Sequence, residues 1–151
     1  SVLQALAGFS RRPAKGDWVL VHDMARPCVR PERIRSMIDE LADDEVGGLL
    51  AVPLVDTLKR ADGAQRVCET LDRSELWRAQ TPQVFRFGVL ERALRAARAD
   101  GVTITDEAMA VERLGLAPRL LAGSADNIKV TVAEDMELAQ YYLARRCGCR
   151  A

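Results

Sequence analysis

The chain encodes an α/β fold, and three features of its pattern say so. Short apolar runs bounded by Gly, Pro or charged residues alternate with longer stretches of helical spacing. That alternation predicts a mainly parallel sheet with helices packed against it. At 151 residues, with no internal repeat or low-complexity tract, the chain fits one domain and can bury roughly two-thirds of its unfolded surface.

Each element follows from its own residues. Residues 1–9 (SVLQALAGF) place Val2, Leu3, Leu6 and Phe9 at helical spacing, with Ser1 suited to cap the helix. A polar Pro/Gly linker, residues 11–17, leads into WVLVH, residues 18–22, a buried strand. Residues 31–45 set Ile34, Met37, Ile38 and Leu41 on one helical face, with Pro31 in the first turn. A second apolar strand covers residues 49–52 and runs on through Pro53 to Val55. The segment 61–73 holds an Asp-Gly turn between two short β-like stretches, which predicts a hairpin. Residues 76–86 are extended, and 87–101 form an amphipathic helix closed by Gly101. A further helix spans 106–116, opened by Thr105 or Asp106 and closed by Gly115. Residues 118–123 and 127–131 (NIKVT) are predicted strands, and 133–146 a final helix.

Composition excludes several functions. Lys plus Arg equals Asp plus Glu, at 22 each, so no global field draws the chain to nucleic acid or an anionic membrane. No apolar run approaches the ~20 residues that span a bilayer. Four scattered cysteines make no disulfide framework, and Cys147 and Cys149 form CGC rather than a CxxC metal or redox pair. His22 is the single histidine, which argues against a histidine metal site or a Ser-His-Asp triad. These features fit a reduced cytoplasmic protein.

In such folds ligands collect at the carboxyl ends of the strands. Asp23 and Arg26 follow the first strand; Asp56, Thr57, Lys59 and Arg60 follow the second. Thr103, Thr105 and Asp106 precede a helix, while Asp126, Lys129 and Thr131 flank the last strand. Hydroxyls and cations near helix N-termini are what a phosphate needs, and a carboxylate among them is what a magnesium ion needs. Each fragment also has a plainer reading. Asp23 with Arg26 can be a structural ion pair, DTLKR a solvated hairpin edge, and TITDEA a helix cap. His22 can be a half-buried residue satisfied by backbone. Lys129, between Ile128 and Val130, points to the opposite face from both, toward solvent or a site.

Taken in order, VLVHDMARPC, PLVDTLKR, LDRSELWRAQTPQVF, GVTITDEAMAVERLG and ADNIKVTVAEDMELAQ closely resemble the 2-C-methyl-D-erythritol 4-phosphate cytidylyltransferases of the non-mevalonate isoprenoid pathway. The resemblance implies a Rossmann-like nucleotidyltransferase domain with a protruding β-arm, about residues 56–73, that reaches into a homodimer partner. It implies transfer of CMP from CTP to methylerythritol phosphate, with Mg²⁺ or another divalent cation and release of pyrophosphate. Asp23 and Lys129 take catalytic positions, with Asp23 also at the metal. Arg26, Thr57, Arg73, Thr81 and Thr105 match substrate-holding residues, and Ser1, Asp23, Met24 and Ala25 nucleotide contacts. Met24 stands where the family usually carries Ala. The family's glycine-rich nucleotide loop has no counterpart here, since Gly47-Gly48 precedes a strand and lacks its cations. Residues 1–151 are therefore expected to be the C-terminal two-thirds of one such domain, inactive alone. Three other expectations stand beside this one: a cytidylyltransferase for another polyol phosphate such as ribitol 5-phosphate, a fused enzyme with a further domain, and a non-catalytic dimerising fragment.

Overall fold

The computed structural model describes residues 2–146. Ser1, Cys147 and Cys149 lie outside them, and with them the capping and nucleotide-contact expectations for Ser1. Four strands form the main sheet: β1 (Trp18–Val21), β2 (Gly47–Pro53), β5 (Trp77–Arg86) and β6 (Arg119–Ala122), in the order β1-β5-β2-β6. A separate two-stranded sheet pairs β3 (Lys59–Ala61) with β4 (Val67–Thr70).

The α/β class holds, but the expectation of a mainly parallel sheet needs correcting. β5 pairs antiparallel with both β1 and β2, and only β2 with β6 is parallel. The long β5 is inserted between strands that themselves share one direction. The carboxyl ends of β1, β2 and β6 therefore still meet at one edge, joined there by the amino end of β5. That edge is where the site lies.

Alternation along the strands splits the core between two faces. Leu49 and Phe85 face one way, packed with Phe87, Leu90 and Leu94 of α3 (Phe87–Ala99), with Ala108 and Val111 of α4 (Glu107–Glu112), and with Leu6 of α1 (Val2–Ala7). Leu50, Val84 and Leu121 face the other way onto Met37 of α2 (Pro31–Glu40) and Leu41 just beyond it. Phe85 has no exposed surface, so truncation to Ala there would remove about 3–5 kcal/mol. Gly47, at φ +125°, opens β2; a Cβ on it would collide with Val84 O. The glycine pair thus serves close strand approach, not a nucleotide loop.

Helix ends were the least well predicted. α2 stops at Glu40 and α4 at Glu112, each with a turn where periodicity had suggested more helix. The hairpin exists, yet its left-handed residue is Gln65 at φ 60°, not the glycine of the Asp-Gly pair. Asp62 Oδ1 accepts from both Ala64 N and Arg66 N, so the aspartate organises a longer turn. Residues 127–131 are not a strand. Their side chains and backbone bond instead to the loop after β1 and to β5; Val130 N donates to Ala25 O at 2.8 Å. The final helix, α5 (Ala133–Arg146), matches its expected span.

Candidate active site

A cleft of about 490 Å³ opens at the sheet edge described above, lined among others by Asp23, Arg26, Thr81, Thr105, Glu107 and Lys129. Four segments build it: the turn after β1, the start of β5, the N-terminus of α4 and the extended run after β6. Each is positioned by a bond to another. Arg26 N donates to Asp23 O at 2.9 Å, which closes the turn after β1. Asp23 N donates to Thr81 Oγ1 at 3.0 Å, fastening that turn to β5. Asp106 caps α4 by accepting from Met109 N, and its other oxygen accepts from Gln83 Nε2, both at 2.9 Å.

The Asp23–Arg26 ion pair considered from sequence does not form. The Asp23 carboxylate pairs with Lys129 Nζ at 2.9 Å. Arg26 turns inward, where Nη1 donates to Asn127 O at 2.8 Å and Nη2 to Ala79 O at 3.5 Å. Burial pulls the Arg26 guanidinium below its ordinary value, and the nearby Asp23 charge works against that pull. Burial likewise pushes the Glu107 carboxyl up, aided by the negative charges of Asp106 and Asp23. The cleft therefore holds two cations and three carboxylates in a half-desolvated space, with Thr81 and Thr105 as hydroxyl groups beside them.

Several expected residues lie elsewhere. Thr57 and Arg73 are exposed at the root of the β3–β4 arm, where Arg73 Nη1 donates to Val55 O. Met24 is 97% exposed; Ala25 is partly buried and gives only its carbonyl to Val130. Thr131 belongs to the start of α5, donating through N and Oγ1 to Asp135 Oδ2. The arm's charges pair within the hairpin, Lys59 with Thr70 and Arg60 with Glu69. Asp126 is a clasp rather than a site residue. It takes bonds from Ser124, Arg30 and Arg146 that fix the end of α5 to the loop after β1. Burial raises its carboxyl, but those three donors outweigh burial and hold it down at about 2.

Gln80, Gln83 and Asn127 were missed as site residues, although all three are buried. Gln80 Nε2 donates to Ser124 O at 2.9 Å, and Asn127 Nδ2 to Thr81 O at 2.8 Å. A signal existed: two glutamines in a strand apolar on both faces must find internal partners.

Among the described residues no group of three or more His, Cys, Asp or Glu side chains is arranged to hold a metal. Asp23 is one exposed-edge carboxylate with Glu107 and Asp106 nearby. Such a set suits magnesium held by one or two carboxylates with substrate phosphates completing the shell. It does not suit an all-protein cage. No helix among these residues is long and apolar enough to cross a membrane.

Comparison with known proteins bears on this cleft. The family model IspD, 2-C-methyl-D-erythritol 4-phosphate cytidylyltransferase, matches residues 1–145. A protein of that name from Azoarcus sp. is 53% identical over 148 residues, covering 98% of this chain and 61% of the relative. One from Pseudomonas putida is 55% identical, covering 97% of this chain and 63% of the relative. The crystal structure of the Francisella tularensis 2-C-methyl-D-erythritol 4-phosphate cytidylyltransferase superposes with a TM-score of 0.86 at 37% identity, covering 94% of this chain and 66% of that one. The chain thus spans about three-fifths of the length of the curated relatives it matches.

Proposed function

The chain belongs to the 2-C-methyl-D-erythritol 4-phosphate cytidylyltransferase family, and from that premise we propose that the intact protein transfers CMP from CTP to 2-C-methyl-D-erythritol 4-phosphate. The products are 4-diphosphocytidyl-2-C-methyl-D-erythritol and pyrophosphate. The observation that carries this reading is convergence. Asp23, Arg26, Thr81, Thr105 and Lys129 come from four separate motifs, yet all line one cleft.

The chemistry needs little beyond placement and charge. A phosphate monoester oxygen attacks the α-phosphorus in line, and no general base is required because the phosphate is already anionic near pH 7. Lys129 and Arg26 offset the charge that gathers as the bond forms. Thr81 and Thr105 orient the acceptor substrate. Asp23, with Glu107 beside it, would hold Mg²⁺, whose part is to neutralise and align the phosphates. The exposed arm would dock on a second copy of the chain, so that Thr57 and Arg73 complete a neighbour's site or secure the homodimer. We place the reaction in the cytoplasm, where free thiols such as Cys28 and Cys68 stay reduced.

The test is release of pyrophosphate from CTP by the intact protein with Mg²⁺ and methylerythritol phosphate. Ribitol 5-phosphate run in parallel separates the two polyol readings. Turnover with ribitol 5-phosphate alone would replace the substrate assigned here, and no turnover with either would remove the transferase reading.

A further inference from the structure

His22 is the one polar residue at the mouth of β1 with no part in the chemistry above. Its imidazole nevertheless joins two pieces of the cleft. Nε2 lies 3.0 Å from Arg26 O, and Nδ1 lies 3.0 Å from Thr81 Oγ1. A carbonyl oxygen can only accept, so the ring hydrogen belongs on Nε2. Nδ1 is then left to accept, and the single hydroxyl hydrogen of Thr81 is directed to it. The same Oγ1 already takes the Asp23 N–H at 3.0 Å. Of the hydrogen-bonding capacity of Thr81, one lone pair remains, and Thr81 lines the cleft.

We propose that His22 is a positioning residue, which turns Thr81 so that its oxygen faces the cleft as an acceptor for a hydroxyl group of the substrate. This rests on the polyol-phosphate reading above. A phosphate dianion carries no hydrogen to give, so a lone pair repels it, whereas a polyol hydroxyl can donate to that lone pair. The division of labour follows: Arg26 and Lys129 take the phosphate charge, and Thr81 reads the carbon chain. The His22 bond to Arg26 O also closes the turn of residues 22–26 a second time, beside the Arg26 N to Asp23 O bond.

Side-chain mimicry separates the two ring contacts. In the intact protein, His22→Leu removes both. His22→Asn restores an acceptor near the place of Nδ1, and His22→Gln restores a donor near the place of Nε2. The Leu variant should raise KM for the polyol phosphate about tenfold, the worth of one such hydrogen bond, while KM for CTP stays put. Asn should recover most of that loss and Gln little of it. Amide hydrogen exchange at Asp23, followed by NMR, reads the same contact without turnover. It should quicken about tenfold in the Leu variant and return toward wild type in the Asn variant. Melting curves on all three establish that each is folded. An unchanged KM and exchange rate in His22→Leu, or rescue by Gln rather than Asn, would overturn the proposal. Should the wild type release no pyrophosphate at all, the functional reading fails, and Asp23 exchange across the three variants still decides whether His22 orients Thr81.

Discussion

The cleft and the arm hold their polar groups in opposite ways. In the cleft, partners come from distant parts of the chain: Arg26 binds Asn127 across 101 positions, and Thr81 binds His22 across 59. In the arm, Lys59 binds Thr70 across 11 positions and Arg60 binds Glu69 across 9. Long-range bonds survive because the sheet and its two apolar faces hold the segments together independently of them. The arm has no such support. Every residue of β3 and β4 is exposed, and Val55 and Val67 show 72% and 64% of their surface. A two-stranded hairpin alone is marginal in water. The cleft is held together by its own chain, whereas among the described residues no apolar surface packs against the arm.

The sharpest way to break that contrast is to remove the cleft's exposed cation. Lys129→Ala in the intact protein should lower kcat at least ~100-fold if its charge acts mainly in the transition state. The Asp23 carboxylate would lose its partner too, so melting curves on Lys129→Ala and Lys129→Met establish that each variant is folded. Full turnover in folded Lys129→Ala would return Lys129 to a surface ion pair.

The arm is tested by complementation. A variant of Thr57 or Arg73 and a variant of Asp23 should each be inactive alone. Mixed, they should regain up to about a quarter of wild-type turnover if the arm acts across a dimer, because only some mixed pairs carry an intact site. No recovery in mixtures proved to contain mixed dimers would show that each subunit works by itself.

Much of this was legible in the sequence, for reasons that differ by element. Strands β1 and β2 stood out because each is an apolar run bounded by turn residues, while β5 (Trp77–Arg86) was legible only as an extended segment. α5 stood out because its Glu134 and Asp135 start and its Arg145 and Arg146 end agree with helix polarity. The direction of β5 could not be read, since a run buried on both faces looks alike in either orientation. Residues 127–131 misled because their alternation mimics a strand, while their real partners, Ala25 and Thr81, are tertiary. The pairing of Lys129 with Asp23 was likewise invisible: two residues so far apart in the chain meet only once the sheet has formed.

Two carboxylates, one in the clasp behind the cleft and one in the arm, sharpen the comparison on stability. The side chain of Asp126 is 12% exposed and shared by two arginines, whereas that of Glu69 is 54% exposed and paired with one. The Asp126 carboxyl is held at about 2 against an ordinary 3.8, so the folded state favours its charged form. That stability is present above about pH 4 and drains away as pH falls toward 2. Asp126→Asn should therefore cost about 1–2 kcal/mol at pH 7, the figure allowing for the half-exposed Arg30. The gap to wild type should close as the pH approaches 2. Glu69→Gln should change stability by no more than about 0.5 kcal/mol at any pH. Urea titrations of both variants at pH 7 and pH 3 check the pair. Equal losses would mean that burial does not distinguish the two regions energetically.

The smallest expected effect has the opposite sign. Glu107 sits at the start of α4, where burial, then Asp106 and Asp23, push its carboxyl above the usual glutamate range. A raised carboxylate is one whose charge the folded state disfavours, so at neutral pH it works against folding. Glu107→Gln keeps the shape and removes the charge, and should raise Tm by about 1–3 °C at pH 7. The gain should shrink as pH falls through the raised value and vanish below the ordinary one, because wild-type Glu107 is then protonated in both states. Differential scanning calorimetry from pH 7 to pH 4 follows it. No arm carboxylate should show such a gain, since none faces two others in a partly buried space. A carboxylate that the cleft holds against its own stability is consistent with the proposed Mg²⁺ site. If Glu107→Gln instead melts earlier at neutral pH, the carboxylate is stabilised where it stands, and the case for Glu107 beside the metal is lost.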